Sequence, residues 1–252
     1  MPPDSVWTVE TRVSVHDCDI NLCWKPAALI LALLKAASDH AASLGFDYQS
    51  MAEQGSAFVL SRFRIHYHAH PRMDQPVTIQ TWPRGLQQRL FFTRDFTLQD
   101  ERGQTLAVAT SAWLLIDPRT RRLLLPQKVV ERLPDNHGRV ALDLDLLKID
   151  PPEDLPERGV FQANYSAVDV LGHANSARYL EWLSDALGLP LLSTHQVDWL
   201  QINFLQETRP ADQVSLRAAP DPADPLHWRA EGYNLTSAKR GFEAELGLHP
   251  IA

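Results

Sequence analysis

The hydrophobic positions of this chain change period twice, in the same order each time. From Pro26 to Leu44 the residues are apolar nearly all round: Ala27, Ala28, Leu29, Ile30, Leu31, Leu33, Leu34, Ala36, Ala37 and Ala41. That predicts a helix enclosed by the rest of the fold, with proline well placed in its first turn. Alternation with period two follows at Phe63, Ile65 and Tyr67, then in Val77–Trp82, Leu90–Leu98 and Leu106–Ile116, which predicts strands. Past residue 158 the order repeats. A helix over about Asn175–Leu189 carries Ala177, Leu180, Leu183 and Leu187 at helical spacing.

The repetition extends to residue identities. Asp19-Ile-Asn21-Leu-Cys23-Trp-Lys25-Pro26 stands before the first helix, and Asp169-Val-Leu171-Gly172-His173-Ala-Asn175 before the second. Downstream, Asp74-Gln75-Pro-Val77 echoes Asp212-Gln213-Val214. Between the halves, residues 127–158 carry Pro134, Pro151, Pro152 and Pro156 among acidic side chains and read as a linker. The expected organisation is 1–126, a linker 127–158, and 159–252. The expected class is α+β: one long helix wrapped by an antiparallel sheet, twice over, which is a tandem (double) hotdog.

Composition narrows the function. Of 252 residues 44% are hydrophobic, ample for a sizeable core. The longest apolar stretch, Pro26–Leu34, falls well short of the ~20 residues of a membrane span. Met-Pro-Pro-Asp at the start has no basic and apolar signal-peptide pattern, so a cytoplasmic protein is expected. Cys18 and Cys23 then read as free thiols. Net charge is −7, split as +2 over residues 1–130 and −9 over the remainder. An acidic whole argues against general nucleic-acid binding, while the milder first half leaves room for an acidic partner.

The segment 169–175 places a carboxylate, an imidazole and a carboxamide within seven residues at a helix start. Unpaired N–H groups and the positive dipole end found there suit the oxyanion that forms when a carbonyl is attacked. Acyl transfer or acyl hydrolysis is the expected chemistry. Asp169 either caps the turn or serves as base or nucleophile, and His173 suits proton transfer near neutral pH. Gly172 supplies a turn or lets backbone approach a substrate, and Asn175 begins the helix or binds substrate or water. His66, His68 and His70 alternate on one predicted strand face. Arg62 and Arg64 on that same face disfavour a metal there, so none is expected. With Arg84, Arg89, Arg119, Arg121 and Arg122 they form either an ordinary surface or a dock for an anionic partner.

An ordered string of segments resembles the acyl-ACP thioesterase family of plants and bacteria from about Trp7 to Leu248. It comprises Lys25-Pro26-Ala27, Ala36–Gly45, Val59–Arg62, Thr81-Trp82-Pro83, Arg94-Asp95-Phe96, Ala109–Trp113 and Thr120–Arg122. Asp169-x-x-Gly172-His173-x-Asn175-x-x-x-Tyr179 is also similar to the signature of 4-hydroxybenzoyl-CoA-type thioesterases. Both resemblances imply thioester hydrolysis, with acyl carrier protein or a CoA thioester as partner and no cofactor. They imply catalytic roles for Asp169, His173 and Glu207, and substrate contacts for Gly172 and Asn175. Leu171 stands where the plant pattern has Asn, and Thr208 where it has Cys. A second carboxylate, Glu207, would raise one pKa of the pair and aid proton shuttling. In the first repeat Cys23, Lys25 and Ala69 fall at the places of His173, Asn175 and Glu207. One active site per chain is therefore implied, with the first hotdog as acyl pocket. The pseudo-dimer is expected as a monomer or a homodimer. The alternative is a hotdog protein that binds acyl chains or acyl carrier protein without turnover.

Overall fold

The computed structural model describes residues 5–251. The chain divides into two compact units, parting at Asp145/Leu146, with Pro26–Ala28 grouped with the second. In the first, strand β1 (Trp7–Arg12) leads to helix α1 (Pro26–Ser43) and the short α2 (Tyr48–Glu53). Strands β2 (Ala57–Tyr67), β3 (Pro76–Gln87), β4 (Phe91–Asp100) and β5 (Thr105–Ile116) follow, then α3 (Gln127–Val130). The second has β6 (Glu157–Gln162), α4 (Ser176–Leu187), α5 (Leu189–Leu192), β7 (His195–Phe204), β8 (Gln213–Asp221), β9 (Asp224–Asn234) and β10 (Lys239–Pro250). The strand orders β1-β3-β4-β5-β2 and β7-β10-β9-β8-β6 are the same connectivity, antiparallel throughout. Each unit is a hotdog.

The period-two pattern sorts the first sheet into two faces. On one face Phe63 and Phe96 meet at 6.0 Å, and Phe58 lies edge-on to Phe92 at 5.2 Å. Arg94 and Thr81 share that face with His40 of α1: an Arg94 guanidinium nitrogen lies 3.0 Å from His40 Nδ1 and donates to Thr81 Oγ1 at 3.3 Å. Trp7 of β1 stacks on the His40 ring. Helix α1 is less enclosed than its composition predicts, because Leu31, Lys35, Ser38 and Ala42 form an exposed stripe.

The other face is covered by the proline-rich stretch. Residues 134–156 contain no helix or strand, yet their backbone is tied to the sheet. Asp95, fully buried, accepts the Ala141 N–H at 2.7 Å and the Thr110 hydroxyl, and faces Arg84 at 3.7 Å. Trp82 Nε1 donates to Arg139 O at 3.0 Å while the Arg139 guanidinium lies over the Trp82 ring. In the second unit Gln201 and Asn203 of β7 both donate to Leu147 O, at 2.7 and 3.1 Å. Burial outweighs these bonds at Asp95 and holds its carboxyl above the usual carboxylate range.

Strand β2 ends at Tyr67, so His66, His68 and His70 do not share one strand face as their alternation predicts. His70 turns back and stacks on the Tyr67 ring at 4.6 Å. In the second unit β9 and β10 pass closely at Gly232, where a Cβ would lie 2.1 Å from the edge of the Phe242 ring. Gly232→Ala is expected to lower stability by about 1 to 3 kcal/mol, the usual range for overpacking a filled core. Chemical denaturation, with an unchanged slope, is the check.

Candidate active site

The site is built on the loop between β6 and α4. A single 3-10 turn at Tyr165–Ala167 delivers the chain to Val168, which bridges Ala174. Asp169 N donates to His173 O at 3.0 Å and Gly172 N to Asp169 O at 3.0 Å. The Asp169 side chain accepts the Leu171 N–H at 2.9 Å, an Asx turn. Gly172 sits at φ +77° with open space around it. Glycine is used here for backbone conformation rather than for room.

Asn175 is the N-cap of α4: its Oδ1 accepts the Ala177 N–H at 2.9 Å and its carbonyl the Arg178 N–H at 2.9 Å. Two of the helix N–H groups expected to face an oxyanion are thus taken by the cap itself. The His173 N–H meets no protein acceptor among the described residues.

His173 and Glu207 are brought together, with Nε2 and Oε1 3.7 Å apart and both side chains partly exposed. That is an ion-pair separation, too long for a hydrogen bond. Asp169 lies on the same loop, and its carboxylate makes no hydrogen bond to either. Behind them, Thr208 is fully buried, and its N–H donates to the Tyr179 hydroxyl at 3.1 Å. Thr208 O accepts from Ala174 N at 2.8 Å. The Tyr179 ring stands edge-on to Trp182, Phe204 and Phe242 at 5.5, 5.8 and 5.3 Å. Burial, then the nearby charges of Glu207 and Asp169, push the phenol pKa up despite the Thr208 bonds, so it is neutral. Sequence reasoning gave Tyr179 no role. Its only signal is a place in the motif, on the buried face of a helix where aromatics ordinarily pack.

The first repeat builds the same loop. Cys18 bridges Trp24, Asp19 N donates to Cys23 O at 2.8 Å, and Asn21 N donates to Asp19 Oδ1 at 2.8 Å. Leu22 takes the left-handed conformation at φ +61° where the second loop has Gly172. Asp19 Oδ1 also accepts the Cys23 N–H at 2.9 Å, so one oxygen of this carboxylate meets two backbone donors where Asp169 Oδ1 meets one.

One correspondence expected from sequence is off by a residue. Trp24 N donates to Pro71 O as Ala174 N does to Thr208 O, and Val13 N to Gln75 O as Ala163 N does to Asp212 O. Pro71 therefore matches Thr208, and His70, not Ala69, stands at the place of Glu207. Cys18 and Cys23 are both free thiols. Among the described residues no group of three or more His, Cys, Asp or Glu is placed to hold a metal ion.

Comparison with known proteins agrees with this duplicated architecture. Residues 4–133 match the family model described as the acyl-ACP thioesterase N-terminal domain, and residues 152–242 the acyl-ACP thioesterase C-terminal domain. The chain is 23% identical to an oleoyl-acyl carrier protein thioesterase of Arabidopsis thaliana, over 94% of this chain and 70% of that protein. It is also 23% identical to the Coriandrum sativum oleoyl-acyl carrier protein thioesterase, over 83% of this chain and 61% of that one. Among solved structures, an acyl-ACP thioesterase from Bacteroides thetaiotaomicron superposes with a TM-score of 0.79 at 23% identity, covering 97% of this chain and 98% of that one. The 12:0-ACP thioesterase of Umbellularia californica gives 0.84 at 16% identity, covering 98% of each. At these identities the structural likeness speaks for the fold, and the two family models speak for the lineage. The chain belongs to the acyl-ACP thioesterase family of thioester hydrolases.

Proposed function

We propose that the second hotdog hydrolyses acyl thioesters carried on acyl carrier protein, releasing the free acid, with Asp169, His173 and Glu207 as its working groups. The observation that supports this best is the approach of His173 to Glu207 at 3.7 Å beside the loop that carries Asp169. One Asp169 oxygen is spent on Leu171 N–H. The other is the base that removes a proton from water as that water attacks the thioester carbonyl. The oxyanion is met by the backbone N–H of His173 and by Asn175 Nδ2, the amide nitrogen left over when Oδ1 caps the helix. The C–S bond then breaks, the protonated His173–Glu207 pair gives a proton to the departing thiolate, and the proton held by Asp169 passes through solvent to restore the pair.

No helix among the described residues is long and apolar enough to cross a membrane. We place the protein in the cytoplasm, with residues 159–252 carrying one site per chain and residues 1–126 an inactive copy. No cofactor enters the scheme. A reading without turnover, in which acyl chains are bound only, draws on Leu171, whose apolar side chain is 52% exposed where the plant pattern has an amide.

Free-thiol release from a panel of acyl-ACP and acyl-CoA substrates tests the proposal. The wild type is expected to turn over acyl-ACP, and Asp169→Asn to lose at least about 100-fold in kcat with folding intact. Equal rates in the two proteins would remove Asp169 from the mechanism. A wild type inert across chain lengths and both carriers would favour the binding reading.

A further inference from the structure

We infer that Tyr179 is a positioning residue, which fixes Glu207 against His173 by holding the backbone of Thr208. Its role in turnover rests on the thioesterase reading above; the geometry behind it does not. Beyond β7 the chain is pinned on both sides of Glu207. Leu205 N and Gln206 N both donate to Gly241 O, at 2.9 and 3.1 Å. Thr208 N then donates to the Tyr179 hydroxyl at 3.1 Å, and its carbonyl accepts from Ala174, the residue after His173. The phenol thus stands between the helix that follows the His173 loop and the segment that carries Glu207. Its own position is set by the rings of Trp182, Phe204 and Phe242, and it is only 4% exposed.

The duplication supplies an internal control. Helix α1 begins at Pro26 and α4 at Ser176, so Leu29 occupies the place of Tyr179. Pro71 occupies the place of Thr208, by the matched bonds to Trp24 and Ala174. The first repeat therefore has neither the hydroxyl that accepts nor the N–H that donates, since proline has none. Leu29 is fully buried and fills the space without polarity. The contact occurs in the copy with an imidazole and a carboxylate at its loop, and is missing from the copy with Cys23 there. Packing alone does not call for it, because the first unit closes the same loop without it.

The test is Tyr179→Phe, which keeps the ring and removes the hydroxyl. Losing the bond frees the Thr208 N–H, so Glu207 is held less closely against His173 and the two side chains act less as a unit. With acyl-ACP as substrate, kcat is expected to fall about tenfold with KM within twofold. The loss caused by Glu207→Gln is expected to be severalfold smaller in the Tyr179→Phe background than in the wild type, because the carboxylate is already displaced. The Thr208 amide should exchange its hydrogen at least tenfold faster than in the wild type. A kcat within twofold of wild type, or a lower kcat with the Glu207→Gln loss undiminished in the Tyr179→Phe background, would overturn the inference; the second result would mark Tyr179 as structural only. So would a Thr208 amide that exchanges in the wild type as fast as an open one, a measurement that needs no variant to fold. If the wild type shows no turnover, the thioesterase reading fails, and amide exchange together with NMR titration of His173 in both proteins still decides the positioning role.

Discussion

His173→Ala and Glu207→Gln are each expected to lower kcat/KM at least about 100-fold, and the double variant to be little worse than either alone. The two side chains face each other at 3.7 Å, close enough for each to set the charge and orientation of the other. Groups that work as a unit lose most of their effect when either member goes, so their losses do not add. Independent groups would instead multiply, giving a double variant near 10⁴-fold down. Steady-state kinetics on one acyl-ACP substrate with all four proteins separates the outcomes. Multiplying losses would mean that Glu207 acts elsewhere, and the proton-return step assigned to the pair would have to be redrawn.

Asp95→Ala is expected to produce the largest loss of stability, about 3 kcal/mol, or roughly 10 °C in Tm. The substitution strands three partners at once: the Ala141 N–H, the Thr110 hydroxyl and the Arg84 guanidinium. Each buried group left unpaired costs on the order of 1–3 kcal/mol. Loss of the carboxylate's own burial penalty offsets part of that total. Limited proteolysis should then cut within residues 134–145, which lose their tie to the sheet. The sign of the pH dependence is fixed by the raised pKa of Asp95. The folded state holds this proton more tightly than the unfolded chain, so the group's contribution is fullest below about pH 4 and declines as pH rises through the folded pKa. The gap between wild type and Asp95→Ala should therefore be wider in acid than at neutrality. A Tm within about 2 °C of wild type would show that residues 134–145 are held by Trp82 and packing instead.

Much of this was legible from residue order. The two helices start where proline and asparagine mark them, and the strands follow their alternation to within a few residues. Chemistry was legible where a short loop carried it: Asp169, His173 and Asn175 are local to one another. Glu207 required knowledge of which strand end returns to that loop. The matching of the repeats slipped by one because Asp74 corresponds in backbone to Ala211, both left-handed at φ +62° and +68°. Identity favoured Asp212, while conformation, which spelling does not record, decided the register. The proline-rich stretch read simply as a linker, and its contacts with the sheet were hidden because their partners, Trp82 and Asp95, lie 57 and 46 residues away. Segments noted only as family resemblance, Thr81-Trp82-Pro83, Arg94-Asp95-Phe96 and Ala109–Trp113, turn out to hold polar contacts on both faces of the first sheet. Tyr179 was hidden for the opposite reason, since a buried aromatic on a helix needs no special explanation.

Leu22 gives the first loop a history. A leucine in the left-handed region carries a cost of about 1–2 kcal/mol that Gly172 avoids in the second. The first loop keeps its shape against that cost even though Cys23 and His70 stand where the second unit has His173 and Glu207. Its contour therefore serves assembly, as the joint where strand becomes helix, and the 169–175 loop is the same joint with a different set of side chains on it. For an engineer this makes the first loop a spare socket: a backbone already bent to the contour of the 169–175 loop, whose side chains can be exchanged without building a new turn.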